Sequence, residues 1–235
     1  KSLRKIAKRL SEIGIPYAVV GGMALFSHGL RRFTEDVDVL VNREGLKEIH
    51  ERLEGLGYLP PFSGSKNLRD TETGVKIEFL ITGDFPGDGM PKPVAFPEPA
   101  TVAVTKDGIC YVNLATLIEL KLASGMSNTE RLKDLADIQE LIKTVNLPAD
   151  LAQKLNPYVR DKYLELWRGT RPPEKRFVLI WSNETASQAT FDAMLNDGVS
   201  IDAAKTTADG STYLVTTDPD IARKYDMHDE SELMT

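Results

Sequence analysis

The chain has 235 residues, of which 41% are hydrophobic and 27% are charged, with a formal net charge of −6. This length allows one sizeable domain and a second, small one, and the composition is typical of a globular protein. No apolar run approaches the roughly 20 residues that a membrane-spanning helix needs. The basic N-terminal segment also lacks the apolar core of a secretory signal. We therefore expect no membrane association.

The charge is unevenly distributed along the chain. Residues 169–235 hold 12 acidic and 6 basic side chains, so this segment carries the whole excess of negative charge. No broad basic face is indicated, and we expect no binding of long DNA, whose phosphates require clustered Lys and Arg. The single cysteine, Cys110, excludes an internal disulfide and is typical of a reducing compartment. A cytoplasmic protein is expected.

Apolar periodicity and breakers predict alternating strands and helices in the first part of the chain. In order, we expect a helix at 3–13, a strand at 15–20, a helix at 22–28, a strand at 36–41, a helix at 44–56 and a strand at 75–81. A Gly- and Pro-rich loop at 83–99 leads to a hairpin at 102–112 that turns at Asp107-Gly108. Helices follow at 114–124 and 129–143, with one or two more in 149–167.

The second part of the chain predicts a small separate unit. Residues 169–176 are polar, contain two prolines and are typical of a linker. Residues 177–235 predict a β-α-β-β-α order, with a strand at 177–181, a helix at 186–195, strands at 201–205 and 213–216, and a helix at 219–225. The fold class is therefore α/β (α+β), with a first domain at 1–168 whose sheet part is 1–112 and whose helical part is 113–168.

The residues that carry chemistry begin with a glycine pair between the first strand and its helix. Gly21 and Gly22 have no Cβ, so a phosphate group can approach the backbone N–H groups of this turn closely. Many strand-to-helix turns use glycine for geometry alone. For this pair by itself, both interpretations stay open.

Two aspartates follow in the second predicted strand. Because strand side chains alternate, Asp36 and Asp38 project from one face while the valines beside them fill the other. Residues i and i+2 of a strand are about 7 Å apart. Two carboxylates at that spacing can converge on one Mg²⁺. A solvated strand face is the alternative explanation.

A third acid, Glu78, lies in the strand predicted at 75–81. Its neighbours Ile77 and Phe79 belong to the buried face, so Glu78 points to the opposite side. On a strand next to the aspartates, it would take a proton from an attacking hydroxyl group or hold a second metal ion. The alternative is a solvent-facing glutamate between core residues.

Together, the glycine pair, the Asp-x-Asp strand and the third acid resemble the nucleotidyltransferase-fold superfamily. The closer resemblance is to small bacterial members, including minimal nucleotidyltransferases and abortive-infection-type toxins. They share the pattern V-V-G-G-x-A-x-x-x-x-G-x-x-R-x-T-x-D-h-D, where h is a hydrophobic residue. The matching residues of this chain are Gly21, Gly22, Ala24, Gly29, Arg32, Thr34, Asp36 and Asp38. The resemblance extends over about residues 10–168.

This resemblance implies a mixed sheet with flanking helices, followed by a helical segment. It also implies that the glycine pair meets the triphosphate of an NTP. Asp36 and Asp38 would bind Mg²⁺ or Mn²⁺, with Glu78 as the third carboxylate. Met23 stands where many members have a serine beside the glycine, and the third acid of many members is aspartate.

Three further residues are candidates for nucleotide binding. Arg32, just before the second strand, is predicted to bind phosphate or to lie in a solvated loop. Thr34 is predicted to orient Asp36 through a hydrogen bond or to serve as a turn residue. Lys121 is on a helix that packs near the site in this family, where it would reach a phosphate or pair with Glu119 or Asp137.

The leading hypothesis is an enzyme, a Mg²⁺-dependent nucleotidyltransferase that moves an NMP from an NTP to an acceptor hydroxyl group and releases pyrophosphate. The acceptor (RNA such as tRNA, a protein or a small molecule) is left open by the sequence. The alternative is a non-catalytic binding or regulatory protein on the same fold, for example half of a toxin–antitoxin or defence pair with a partner protein. Met23, Glu78 and the acidic C-terminal segment motivate that alternative.

Overall fold

The chain divides into two compact units, Lys1–Arg171 and Pro172–Thr235. The structure is a computed structural model that describes residues 1–171, 176–181, 187–202 and 211–232. Four residues of the predicted linker, 172–175, lie outside the described residues. None of the helices in these described ranges has the length and apolar character needed to cross a membrane.

The first unit is built on a seven-stranded mixed sheet. Its strands are β1 (Ala18–Val19), β2 (Val37–Val41), β3 (Tyr58–Leu59), β4 (Leu68–Asp70), β5 (Lys76–Ile81), β6 (Ala103–Lys106) and β7 (Ile109–Val112). Across the sheet they lie in the order β3-β4-β5-β2-β1-β7-β6. Strand β2 pairs parallel with β5 and antiparallel with β1, so it lies in the middle of the sheet.

Helices cover both faces of this sheet. They are α1 (Ser2–Glu12), α2 (Gly21–Ser27), α3 (Arg43–Leu53), α4 (Pro99–Val102), α5 (Leu114–Ser127), α6 (Leu132–Thr144) and α7 (Pro157–Gly169). One apolar cluster joins α1 and α3 to Val37, Val39 and Val41 of β2. A second cluster joins α5, α6 and α7 to Leu40 of the same strand. The alternating side chains of β2 thus contact two different layers of helices.

The predicted α/β class and most predicted elements of this unit are confirmed, with shifted ends. The strand expected at 15–20 is confined to β1, and the strand expected from Asp36 begins one residue later. Strands β3 and β4 were not predicted, because two or three residues are too few to show an alternating pattern. The hairpin is formed by β6 and β7, and both of its turn residues, Asp107 (φ 51°) and Gly108 (φ 74°), are left-handed.

In the part of the second unit that the structure describes, an antiparallel sheet of four strands is accompanied by two α-helices. Its elements are β8 (Phe177–Trp181), α8 (Gln188–Asn196), β9 (Ser200–Ile201), β10 (Thr212–Thr216), α9 (Pro219–Lys224) and β11 (His228–Asp229). The strand order is β11-β8-β10-β9. The β-α-β-β-α order is confirmed, and β11 is an additional strand. Residues 203–205 of one predicted strand lie outside the described residues.

Candidate active site

The pairing of β2 with β5 brings two of the predicted acids together. The two strands are parallel, and Asp38 lies directly opposite Glu78. Residues paired in this way carry their side chains on the same face of a sheet. That face also carries Leu40 and Leu80, which contact the apolar cluster of α5, α6 and α7. The two acids therefore point toward the helical part of the unit.

A cavity of about 310 Å³ lies in front of these acids. Every residue that the sequence singled out for the site lines this cavity: Gly21, Gly22, Arg32, Thr34, Asp36, Asp38, Glu78 and Lys121. Further lining residues come from α5 and from the start of α6, among them Ser124, Arg131 and Asp134. None of these three was assigned to the site from the sequence, where Lys121 was the residue of this helical part expected to reach it.

The glycine turn is in close contact with the acidic strand. A Cβ atom on Gly21, whose φ is +58°, would lie 1.9 Å from Oδ2 of Asp38. A Cβ atom on Gly22 would lie 2.8 Å from the Cβ atom of Thr34. The N–H group of Val20 donates a hydrogen bond to the carbonyl oxygen of Asp38 at 2.9 Å. A side chain at either position would therefore require Asp38 or Thr34 to move, whatever binds in the cavity.

The Asp38 carboxyl group has a raised pKa. Burial and then the negative charge of Glu78 raise its pKa to about 6, and Asp36 adds to the same effect. The positive charges of Lys121 and Arg131 act in the opposite direction. A raised pKa with these causes means that a negative charge at Asp38 is destabilised by burial and by its acidic neighbours.

Glu78 is held by a lysine that the sequence analysis missed. Nζ of Lys76 lies 2.6 Å from Oε2 of Glu78, and about a third of each side chain is exposed. The hydrogen bond to Glu78 and the nearby charges of Asp36 and Asp38 raise the pKa of Lys76. The alternation of side chains along the strand could have located this lysine, because Lys76 is two residues before Glu78 and shares its face.

Lys121 is buried in an ion-pair network. Its Nζ lies 2.6 Å from Oδ1 of Asp134 and 2.7 Å from Oδ2 of Asp137. Asp137 also accepts a hydrogen bond from the guanidinium group of Arg32. Of the two predictions made for Lys121, the pairing with Asp137 is thus observed, and the phosphate contact stays a prediction. The network links α5 and α6 to the loop before β2.

Thr34 forms a hydrogen bond with the backbone of Asp36. Its hydroxyl group donates a hydrogen bond to the backbone carbonyl oxygen of Asp36 at 3.3 Å. The contact fixes the backbone just before β2 and leaves the Asp36 carboxylate available to the cavity.

The carboxylates match one mode of Mg²⁺ binding. Within the described ranges, no group of three or more His, Cys, Asp and Glu side chains is arranged to hold a metal ion. Mg²⁺, however, is usually bound by one or two carboxylates together with substrate phosphates, and not by a complete protein cage. Asp36 and Asp38 provide such a pair, and the repulsion that raises the pKa of Asp38 is relieved by a cation. A metal-binding role for Glu78 stays a prediction, because its carboxylate pairs with Lys76.

Comparisons with known proteins give distant structural neighbours. Neither a family model nor a curated protein sequence matches the chain. JHP933 from Helicobacter pylori has 18% identity and a TM-score of 0.41, over 71% of this chain and 86% of that one. The antibiotic-resistance factor ANT(2'')-Ia has 14% identity and a TM-score of 0.44, and the match covers 71% of this chain and 93% of that one. An antigenic nucleotidyltransferase-like protein from Paracoccidioides brasiliensis has 15% identity and a TM-score of 0.39, and the match covers 69% of this chain and 90% of that one.

Of these three neighbours, the Paracoccidioides brasiliensis protein is named for its likeness to nucleotidyltransferases, the class that the Gly-Gly and Asp-x-Asp pattern resembles. None of the names concerns a toxin of the abortive-infection type, so that part of the resemblance stays a prediction. At such low identities and TM-scores, the likeness carries no argument about activity.

Proposed function

We propose that the first unit is a Mg²⁺- or Mn²⁺-dependent nucleotidyltransferase. It would transfer an NMP group from an NTP to an acceptor hydroxyl group. The observation that supports this most directly is the meeting of three carboxylates, Asp36, Asp38 and Glu78, in one cavity beside the Gly21-Gly22 turn. A cluster of like charges in a partly buried cavity is unfavourable unless a cation or a proton compensates it.

Asp36 and Asp38 would hold the metal ion together with oxygens of the triphosphate. When bound, Mg²⁺ supplies positive charge that stabilises the phosphoryl oxygens and the leaving pyrophosphate. The Gly21-Gly22 turn has no side chain of its own that would keep a triphosphate away from its backbone N–H groups. The Asp38 carboxylate packs directly against Gly21, so a metal ion held by that carboxylate would lie beside the same turn.

Glu78 is the group suited to proton transfer. The acceptor oxygen would form a bond to the α-phosphorus, and the bond from that phosphorus to the bridging oxygen of the β-phosphate would break. Pyrophosphate leaves with the bonding electrons, and the hydroxyl proton passes to the Glu78 carboxylate. Nζ of Lys76, 2.6 Å away, holds that carboxylate in position before the proton arrives.

A second candidate function is non-catalytic nucleotide binding or regulation on the same fold. The Lys76–Glu78 ion pair favours it, because a lysine already neutralises one of the three acids. In that case NTP would bind without transfer, and the protein would act through a partner. Activity measurements on matched variants separate the two functions.

The direct test is transfer of label from α-labelled ATP, GTP, CTP or UTP in the presence of Mg²⁺ or Mn²⁺. Acceptors would include a tRNA pool, a small-molecule extract and the protein itself. We expect transfer by the unmodified chain and a decrease of about 100-fold or more in Asp36→Asn, since one metal-binding charge is lost. Asp161→Asn, which removes an exposed charge on α7, is the matched control and should transfer normally.

Two outcomes would reject the proposed enzyme. One is the absence of label transfer with every nucleotide and acceptor. The other is equal transfer by Asp36→Asn and the unmodified chain. If NTP and metal still raise the melting temperature while transfer is absent, the non-catalytic function is supported instead.

A further inference from the structure

A second cavity, of about 540 Å³, lies beside the first one. The two cavities share the lining residues Glu78, Leu80, Phe96 and Arg131. Glu78 therefore lies at the boundary between them, with the aspartates on the side of the first cavity. A molecule in the second cavity would meet the carboxylate that is suited to accept a proton.

One wall of the second cavity is the Gly- and Pro-rich segment after β5. The segment is irregular, as the sequence predicts, but hydrogen bonds hold its two ends together. The N–H group of Gly83 donates to the carbonyl oxygen of Phe96 at 2.8 Å, and the N–H group of Phe96 donates to that of Asp84 at 2.9 Å. Nζ of Lys92 donates to the carbonyl oxygen of Pro86 at 2.7 Å.

Gly87 fixes this wall against α5. Its φ is +80°, and a Cβ atom on it would lie 2.2 Å from Oγ of Ser127 and 2.7 Å from the carbonyl oxygen of Ser124. No side chain fits in that space, so the backbone of the segment touches a helix that also lines the first cavity. The second cavity is therefore preformed, and its wall is an ordered part of the unit.

The lining of the second cavity has no net formal charge. Its charged residues are Lys66, Glu78, Asp84 and Arg131, and its larger apolar residues are Leu80, Ile81, Phe85, Pro91 and Phe96. A polynucleotide needs several cations along its phosphates, and this cavity offers two that are balanced by two acids. Its volume is in the range of cavities that bind small molecules, which combine apolar walls with a few polar groups.

We infer that the second cavity binds the acceptor, and that this acceptor is a small hydroxyl-bearing molecule of sugar-like polarity, uncharged or zwitterionic. The inference rests on the proposed function, because it assigns the attacking hydroxyl group to the Glu78 side of the site. Apolar rings such as Phe85 suit the C–H faces of a sugar, and the mixed charges suit its hydroxyl groups.

The test compares acceptor classes with a variant that fills only the second cavity. Lys66 lines the second cavity and not the first, so Lys66→Trp narrows the proposed acceptor site. Lys8→Trp places the same exchange on the exposed face of α1 and serves as the control. The full chain is incubated with α-labelled NTP, Mg²⁺ and either a metabolite extract freed of RNA and protein or a tRNA pool. Label is measured in small molecules, RNA, protein and free NMP.

We expect label in the small-molecule fraction. The ratio of this transfer to NTP hydrolysis should fall about tenfold in Lys66→Trp and be unchanged in Lys8→Trp, since a misplaced acceptor reacts slowly. Label mainly in RNA or in protein would overturn the inference and leave the proposed function intact. An unchanged ratio in Lys66→Trp would also overturn the inference. If no acceptor is labelled, whether or not NTP is hydrolysed, the proposed function itself is rejected.

Discussion

The ammonium group of Lys76 lies 2.6 Å from the carboxylate of Glu78, on the strand that pairs with the Asp-x-Asp strand. This lysine is one of the cations that compensate part of the acidic cluster. Removing it should increase the negative charge felt by any ion in the cavity. The ion pair thus connects the electrostatics of the site to its affinity for metal.

Lys76→Met is expected to bind Mn²⁺ about three- to tenfold more tightly than the unmodified chain when no nucleotide is present, because one competing positive charge is gone. Isothermal titration calorimetry measures the affinity. Lys47→Met, which removes an exposed lysine near Glu51 on α3, is the control. Equal Mn²⁺ affinity in both variants would show that Lys76 does not oppose metal binding.

The acidic face of the site could be predicted from the sequence. Alternation in β2 and β5 put Asp38 and Glu78 on the face opposite to the buried valines, and the register of the two strands agrees. The glycine pair could also be predicted, because a turn between a strand and a helix has a recognisable sequence pattern. These features depend on residues that are close in sequence.

Other features depend on tertiary packing and could not be predicted. The pairing of Lys121 with Asp134 joins two helices, and the sequence left phosphate binding and ion pairing open for that lysine. The second cavity depends on the contact of Gly87 with α5. No pattern of neighbouring residues in the sequence predicts that contact. The alternation of side chains also places Lys76 on the same face as Glu78. A lysine beside an acid, however, usually forms a solvated ion pair, so this pattern alone did not indicate a role in the site.

Gly21→Ala is expected to abolish metal-dependent nucleotide binding. The added Cβ atom would lie 1.9 Å from Oδ2 of Asp38, so the carboxylate has to move. Gly14→Ala is a matched control, because Gly14 has a similar positive φ (+73°) and no atom within 4 Å of the added Cβ. Backbone strain should lower the stability of both variants by about 1 kcal/mol.

The two glycine variants differ only in the contact with Asp38. Urea unfolding measures their stability, and thermal shift with an NTP analogue and Mn²⁺ measures binding. Loss of binding in Gly21→Ala alone would support the steric role of the turn. Retained binding in Gly21→Ala would show that the Asp38 carboxylate can move without loss of function.

Asp38→Asn is expected to stabilise the metal-free protein. The pKa of Asp38 is raised to about 6 in the folded chain, so the folded state binds a proton more strongly than the unfolded state does. The ionised side chain therefore destabilises the fold above about pH 6, and the penalty disappears as the pH falls below the unfolded pKa of about 3.9. The gain should be about 1–3 kcal/mol near pH 8 and roughly half of that near pH 5.

Urea unfolding in the presence of a chelator measures this difference at both pH values. Asp161→Asn on α7 should show no such gain. A loss of stability in Asp38→Asn, or a gain that does not depend on pH, would contradict the electrostatic account of the site.

Lys121→Met is expected to destabilise the first unit by about 3 kcal/mol, because it leaves the buried carboxylates of Asp134 and Asp137 without their shared cation. The same ion pair makes stability depend on pH. The charge of Lys121 helps to hold the pKa of Asp134 below its ordinary value despite burial, so its contribution is present near neutral pH and is lost as the pH falls through that lowered value.

Adding Asp134→Asn to Lys121→Met separates the structural role of this lysine from phosphate binding. If Lys121 acts through the ion pair, the double variant should recover part of the lost stability in urea unfolding and should bind an NTP analogue nearly as well as the unmodified chain. If Lys121 contacts phosphate, the recovery of stability will not restore binding. The comparison thus decides between the two roles that the sequence left open for this residue.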